Sequence, residues 1–146
     1  MTDIISEQET PEAPEQITVH VISDSLGTTA CSVVRAAAVQ FDKGSVRVSC
    51  LSHVSDIEQV KAYVSRYVTM DGPTAVFHTI LEKALREELR REMEAAGIPS
   101  VDLLGPAMGI LARLTDSEPL NIPGLVVDRD VDIVRQVDAR FLDRQV

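Results

Sequence analysis

The sequence contains no tryptophan, and aromatic residues make up only 3% of it. A flavin site usually needs aromatic rings to stack on, and the tyrosines here are confined to Tyr63 and Tyr67. The two cysteines, Cys31 and Cys50, form no CxxC pair. That excludes a disulfide framework and a zinc-ligand pattern. Basic residues are outnumbered, 14 Lys and Arg against 23 Asp and Glu, for a net charge of −9. Such a balance argues against nonspecific nucleic-acid binding, which needs a basic face. It also disfavours docking on anionic membranes. No apolar run approaches the roughly 20 residues that span a bilayer. The acidic, polar beginning does not have the pattern of a signal peptide. A cytoplasmic, reduced protein is the simplest expectation.

What is present fits a globular chain. A length of 146 residues and a hydrophobic fraction of 45% suit one domain with a real core. Residues 1–16 are rich in Glu, Gln, Thr and Pro and are expected to form a disordered acidic tail. The organising stretch is Ile17–Ala38, ITVHVISDSLGTTACSVVRAAA. A β-type run over Ile17–Ile22 meets the turn Ser23–Thr29, and a helical pattern follows from about Thr28 to Gln40. Val33, Val34, Ala37 and Phe41 share one face of that helix. A helix start leaves its first N–H groups unpaired and carries partial positive charge. With Gly27 and several hydroxyls beside it, the turn is a candidate phosphate cradle. A plain βα turn without a ligand remains the alternative at this point.

The rest alternates strand and helix. Ser45–Leu51 reads as a second strand with one polar face, hence near a sheet edge. Ser55 and Glu58 match a capping box ahead of a helix carrying Ile57, Val60 and Val64. Thr74–Ile80 is almost continuously apolar, as a central parallel strand should be. Leu81–Ala96 repeats Leu81, Leu85, Leu89 and Met93, with Glu82/Arg86 and Glu87/Arg91 as pairs and Gly97 as terminator. Ile98–Leu104 reads as a short strand, and Gly105-Pro106 opens a helix with Met108, Leu111, Ala112 and Leu114 on its apolar side. Residues 115–124 form a loop, and Val131–Val146 reads as a final helix with Val134, Val137 and Phe141 as its stripe. The order predicts an α/β fold: a single three-layer domain over 17–127 with a mostly parallel four-stranded sheet and helices on both faces, then a C-terminal helix within 128–146.

In such sheets ligands gather outside the carboxyl ends of the strands. Candidate phosphate-binding residues are Ser23, Asp24, Ser25, Gly27, Thr28 and Thr29. His78, Thr79 and Asp102 are candidates for the rim, and His53 follows strand two. A carboxylate beside a phosphate repels it, so Asp24 is open to other roles: helix cap, metal ligand or base. His20 reads as a packed residue, Cys31 as a small packed residue and Cys50 as structural. No nucleophile–base pair stands out, and no metal site is expected. A receiver domain needs an Asp at the end of strand three, where His78-Thr79 stands. A P-loop kinase needs GxxxxGK[ST], and no such run occurs.

Val21–Ala30 (VISDSLGTTA) and the Gln40-Phe41 pair resemble the opening of the pyruvate, phosphate dikinase and phosphoenolpyruvate synthase regulatory proteins. Val76–Ile80 (VFHTI), Gly97–Pro106 (GIPSVDLLGP) and Pro123-Gly124 continue the resemblance. The resemblance implies a bifunctional serine/threonine kinase and phosphorylase. Such a protein uses ADP to phosphorylate a threonine of its target and inorganic phosphate to remove it, releasing pyrophosphate. ADP, phosphate and Mg²⁺ are the implied ligands, and the dikinase or the synthase is the implied partner. The family's proteins are longer and carry their nucleotide P-loop in the second half, so kinase activity by these residues alone is not expected. A phosphate- or partner-binding part is the first expectation. The alternative is a non-catalytic interaction module that binds the dikinase or a full-length paralogue, or pairs as a homodimer. Whether the chain is a natural short form, a split gene product or a truncation stays open.

Overall fold

The computed structural model describes residues 16–68, 72–123, 125 and 134–141. Four strands form one sheet: β1 (Ile17–Ser23), β2 (Val46–Leu51), β3 (Thr74–Thr79) and β4 (Ser100–Asp102). Between and after them run α1 (Thr28–Ala38), α2 (Ile57–Arg66), α3 (Lys83–Ala96) and α4 (Gly105–Thr115). The strand order is β2-β1-β3-β4, and every pairing is parallel. This is the α/β sheet expected, with polar-faced β2 at an edge and β1 and β3 inside.

Two apolar layers hold it. On one face Ile22 and Val76 meet Val60 of α2 and Leu85, Leu89 and Met93 of α3. On the other, Val19 and Val21 meet Ala30 and Val34 of α1. The split follows from the period of 2 in β1, which sends alternate side chains to opposite faces. His20 shares the first face and is fully buried, with its Nδ1 2.6 Å from Tyr63 Oη. Ser49 Oγ lies 2.5 Å from the same hydroxyl, so the expected packed histidine belongs to a polar network under α2.

Several local expectations shift. The capping box of α2 is built by Asp56 and Gln59, one place beyond Ser55 and Glu58. Gln59 Oε1 accepts from the N–H groups of both Ser55 and Asp56, at 2.7 and 3.3 Å. α3 starts two residues later than expected because Glu82 caps it, accepting from Ala84 and Leu85. Glu82 is therefore spent on the backbone, and among the described residues the ion pairs within α3 run from Arg90 to Glu87 and Glu94 instead. In α1 the buried positions are Ala30 and Val34, while Val33 is exposed and Phe41 lies beyond the helix, largely exposed. The expected C-terminal helix falls partly outside the described residues. Within them, 134–138 carry no regular structure and Ala139–Phe141 make a single 3-10 turn. Val134 is 89% and Phe141 80% exposed, so the described residues offer little tertiary surface to offset the cost of nucleating a helix there.

Candidate functional site: a cleft at the switch point of the sheet

β1 and β3 are neighbours that end level, with Ser23 paired to Thr79. After β1 the chain turns toward β2, and after β3 it turns toward β4. The two connections diverge and leave a crevice at the carboxyl ends, the usual ligand position in open α/β sheets. A cleft of about 910 Å³ opens there. One wall is the Ser23–Thr29 loop, and the floor includes Thr79 and Leu81. His53 closes one side, and Leu104 and Met108 of the α4 region stand opposite with 118–122 and Leu125.

The loop is held by its own residues. Ser23 is fully buried, and its Oγ accepts from the Ser25 N–H at 3.0 Å. Ser23 O and Ser25 O accept from the N–H groups of Val54 and His53, which stitches the loop to the segment after β2. Asp24 Oδ2 accepts from the Leu81 N–H at 2.7 Å. That bond spans the switch point and fixes the carboxylate toward the end of β3; it does not cap α1. Gly27 is the N-cap residue of α1 in the left-handed region, at φ +86°. An added Cβ there would lie 3.0 Å from Cys50 Sγ and 3.4 Å from Val21. The glycine is thus required by its backbone angle and by a close approach inside the protein, rather than by room for a ligand.

α1 differs from α2 and α3 at its start. Asp56 and Glu82 cap those helices, whereas no side chain caps α1 and no acidic residue sits in its first turn. Thr28 and Thr29 are exposed there and line the cleft. The first amides of α1, its dipole and two hydroxyls therefore face one space, which is chemistry suited to an anion.

Of the residues singled out above, Ser23, Asp24, Ser25, Gly27, Thr28, Thr29 and Thr79 line the cleft, as does His53. His78 and Asp102 are not among its lining residues. They lie on the other face of the sheet, paired across β3 and β4. Asp102 Oδ1 accepts from the N–H groups of Leu104 and Gly105, at 3.1 and 2.7 Å, and so starts α4. Its Oδ2 is 3.9 Å from Arg86 Nε. Sequence reasoning missed the opposite wall, Glu118–Ile122, which it treated only as a loop; its Pro and Asn content marks a turn, not a partner for a loop so distant in the chain. Cys50 was read as structural but is exposed at the back of the loop. Among the described residues, no group of three His, Cys, Asp or Glu side chains is placed to hold a metal ion. No described helix is long and apolar enough to cross a membrane.

His78 is 3% exposed, and its Nδ1 has no hydrogen-bond partner among the described residues. Burial pushes its pKa below the ordinary histidine value, with Arg86 adding to the shift and Asp102 and Asp24 opposing it. The unfolded chain then takes up a proton at a higher pH than the folded chain does. Stability from this group is complete above about pH 6.5 and declines as pH falls through the folded value. Urea unfolding across the acid range should show a slope of up to about 1.4 kcal/mol per pH unit from His78. His78→Leu should flatten that part of the profile, and an unchanged slope would assign it to other groups.

The fold and the cleft define a parallel α/β protein with an anion-suited site at its switch point. The sequence model of the kinase/pyrophosphorylase family matches residues 19–140, and the chain belongs to that family. It is 30% identical over 125 residues to a Shouchella clausii protein named as a pyruvate, phosphate dikinase regulatory protein, covering 86% of this chain and 45% of the relative. A Listeria welshimeri protein named as pyruvate, phosphate dikinase regulatory protein 1 is 34% identical over 124 residues, covering 85% and 44%. A third, from Carboxydothermus hydrogenoformans and similarly named, is 31% identical over 126 residues, covering 86% and 45%. The chain thus spans less than half the length of these curated relatives.

Proposed function

We propose that the Ser23–Thr29 loop binds a phosphate group in a protein that controls pyruvate, phosphate dikinase or phosphoenolpyruvate synthase. The observation that carries this reading is the uncapped start of α1 opening into the switch-point cleft, with Thr28 and Thr29 beside it. The names of the relatives point to the dikinase, the resemblance adds the synthase and the phosphate-dependent reversal, and the family description, kinase/pyrophosphorylase, points to phosphoryl transfer. A phosphate of inorganic phosphate, of ADP or of a phosphothreonine would meet the same amides and hydroxyls. Asp24 is compatible with this because the Leu81 N–H holds one of its oxygens. Phosphoryl transfer also needs the phosphates and Mg²⁺ to be positioned, usually by a P-loop lysine and hydroxyl. With no GxxxxGK[ST] run in the sequence, these residues supply the phosphate-binding part and not the whole catalytic apparatus.

Titrating the folded chain with inorganic phosphate and with ADP, while following backbone amide resonances, tests the reading. The largest shifts are expected at residues 25–30, weakening with added salt. Shifts scattered over the surface, or none at millimolar ligand, would overturn it. Thr29→Ala should weaken phosphate binding roughly tenfold, the loss of one hydrogen bond to a charged group, with the unfolding midpoint unchanged. Incubated with ADP, Mg²⁺ and the dikinase, the chain alone should leave the target threonine unmodified.

A second reading has its own observation. α4 buries none of its residues, and Ile110, Leu111 and Leu114 are 50%, 60% and 79% exposed. An apolar helix face left open in this way fits a non-catalytic module that binds the dikinase or a full-length paralogue. Co-purification with such a partner, with no phosphate response in the loop, favours it.

A further inference from the structure

The two cysteines are far apart in the chain and meet at Gly27. Cys31 lies in the first turn of α1, and its N–H donates to Gly27 O at 3.0 Å. Cys50 lies in β2 opposite Val21. Its Sγ sits 3.0 Å from the position a Gly27 Cβ would take, and 4.0 Å from Leu26 O. Cys31 stands one helical turn beyond Gly27, so the two side chains border the same glycine, and both thiols are free. Cys50 is exposed, while Cys31 is partly covered by Val19, Val21, Ala30 and Val34. So the sequence's only cysteines form one pair, with an accessible member and a sheltered one, at the back of the cleft loop.

We propose that Cys31 and Cys50 are a thiol–disulfide site that closes within the chain when a low-molecular-weight disulfide, such as glutathione disulfide, is in excess. The exposed Cys50 thiolate attacks one sulfur of that disulfide. A mixed disulfide forms, and one small thiol leaves with the proton Cys50 gave up. The Cys31 thiolate then attacks Cys50 Sγ and releases the second small thiol. Two protein thiols are oxidised to one disulfide, and the small disulfide is reduced to two thiols. Both side chains border Gly27, and closing a bond of about 2.05 Å brings their sulfurs together there. Burial raises the Cys50 pKa, and the neighbouring Cys31 raises it further, so less thiolate is present at neutral pH and the first step accelerates as pH rises. Once closed, the bond ties the start of α1 to β2 directly behind Gly27. The loop that lines the cleft then has less freedom in the oxidised protein than in the reduced one.

The test uses the folded, reduced chain with glutathione disulfide at mildly alkaline pH. Expected are the loss of both free thiols, an intact mass lower by two hydrogens, and a monomer on a non-reducing gel. A peptide joining Cys31 to Cys50 should appear on digestion, and dithiothreitol should reverse all of it. Amide exchange over residues 27–31 should slow by about tenfold or more in the oxidised form. Cys31→Ser should instead accumulate the mixed disulfide at Cys50. Two thiols persisting under conditions that oxidise small dithiols would overturn the proposal. So would crosslinks only between chains, or a stable glutathione adduct on the wild-type protein.

Discussion

Gly27→Val is expected to cost about 3 kcal/mol of stability and to remove the phosphate response of the folded remainder. Two physical terms combine. A β-branched residue is strained at φ +86°, the left-handed angle that Gly27 adopts as the N-cap of α1. The added side chain also enters the space of Cys50 Sγ, 3.0 Å from its first carbon, and of Val21 at 3.4 Å. Cys50 can turn outward because it is exposed, but Val21 is fully buried in β1 and has no such freedom. Gly27→Ala should keep most of the angular strain and less of the crowding, for a loss of about 1–2 kcal/mol. Adding Cys50→Ala should recover only the crowding part, and the two changes should be visibly non-additive. Urea unfolding of the wild type, the three single variants and the double variant separates the terms. If Gly27→Val unfolds with the wild-type midpoint and still binds phosphate, neither the turn geometry nor the cradle stands.

The strand, the turn and the helix start are written in adjacent residues, because alternation, small polar residues and a helical stripe are local signals; the role of Asp24, which the sequence leaves open as a helix cap, is decided only by its bond to the Leu81 N–H. The central place of β3 was legible as well, since only a strand covered on both faces tolerates TAVFHT. The reason for Gly27 was not legible. From sequence it looks like room for a ligand; in the fold it is room for Cys50, a residue of the neighbouring strand. Cys31 with Cys50, and Ser23–Thr29 with 118–122, meet only once the strand order is known. Cap placement failed for a different reason. Ser55 and Asp56 are both good cap residues, and Glu58 and Gln59 are both good third-position partners, so a shift by one satisfies the same pattern. His78 stands next to Thr79 in β3, but strand periodicity sends it to the opposite face, and Asp102, its partner in β4, goes with it. Position at a strand's end therefore points toward the cleft region without deciding which residues line it.

Gly105→Ala should cost about 2–3 kcal/mol, although alanine is the better helix former. The cause is a contact rather than an angle, since Gly105 is not among the residues with positive φ. Its added Cβ would stand 2.1 Å from Asp102 Oδ2 and 2.8 Å from Asp102 Cγ. Asp102 must swing away, and it then loses the Leu104 and Gly105 N–H groups that it receives at 3.1 and 2.7 Å. Arg86, 3.9 Å from the same carboxylate, loses its neighbour too. The start of α4 loosens, and with it Leu104 and Met108, which form part of the cleft wall. The decisive comparison is made in an Asp102→Ala background. There the cap is already gone, and so are the three atoms nearest the new methyl group. Gly105→Ala should then be neutral or stabilising, by up to about 1 kcal/mol of helix propensity. A reversal of sign between the two backgrounds is the signature of a glycine kept to admit a carboxylate. An equal loss in both would mean that the backbone at Gly105, and not Asp102, makes the demand.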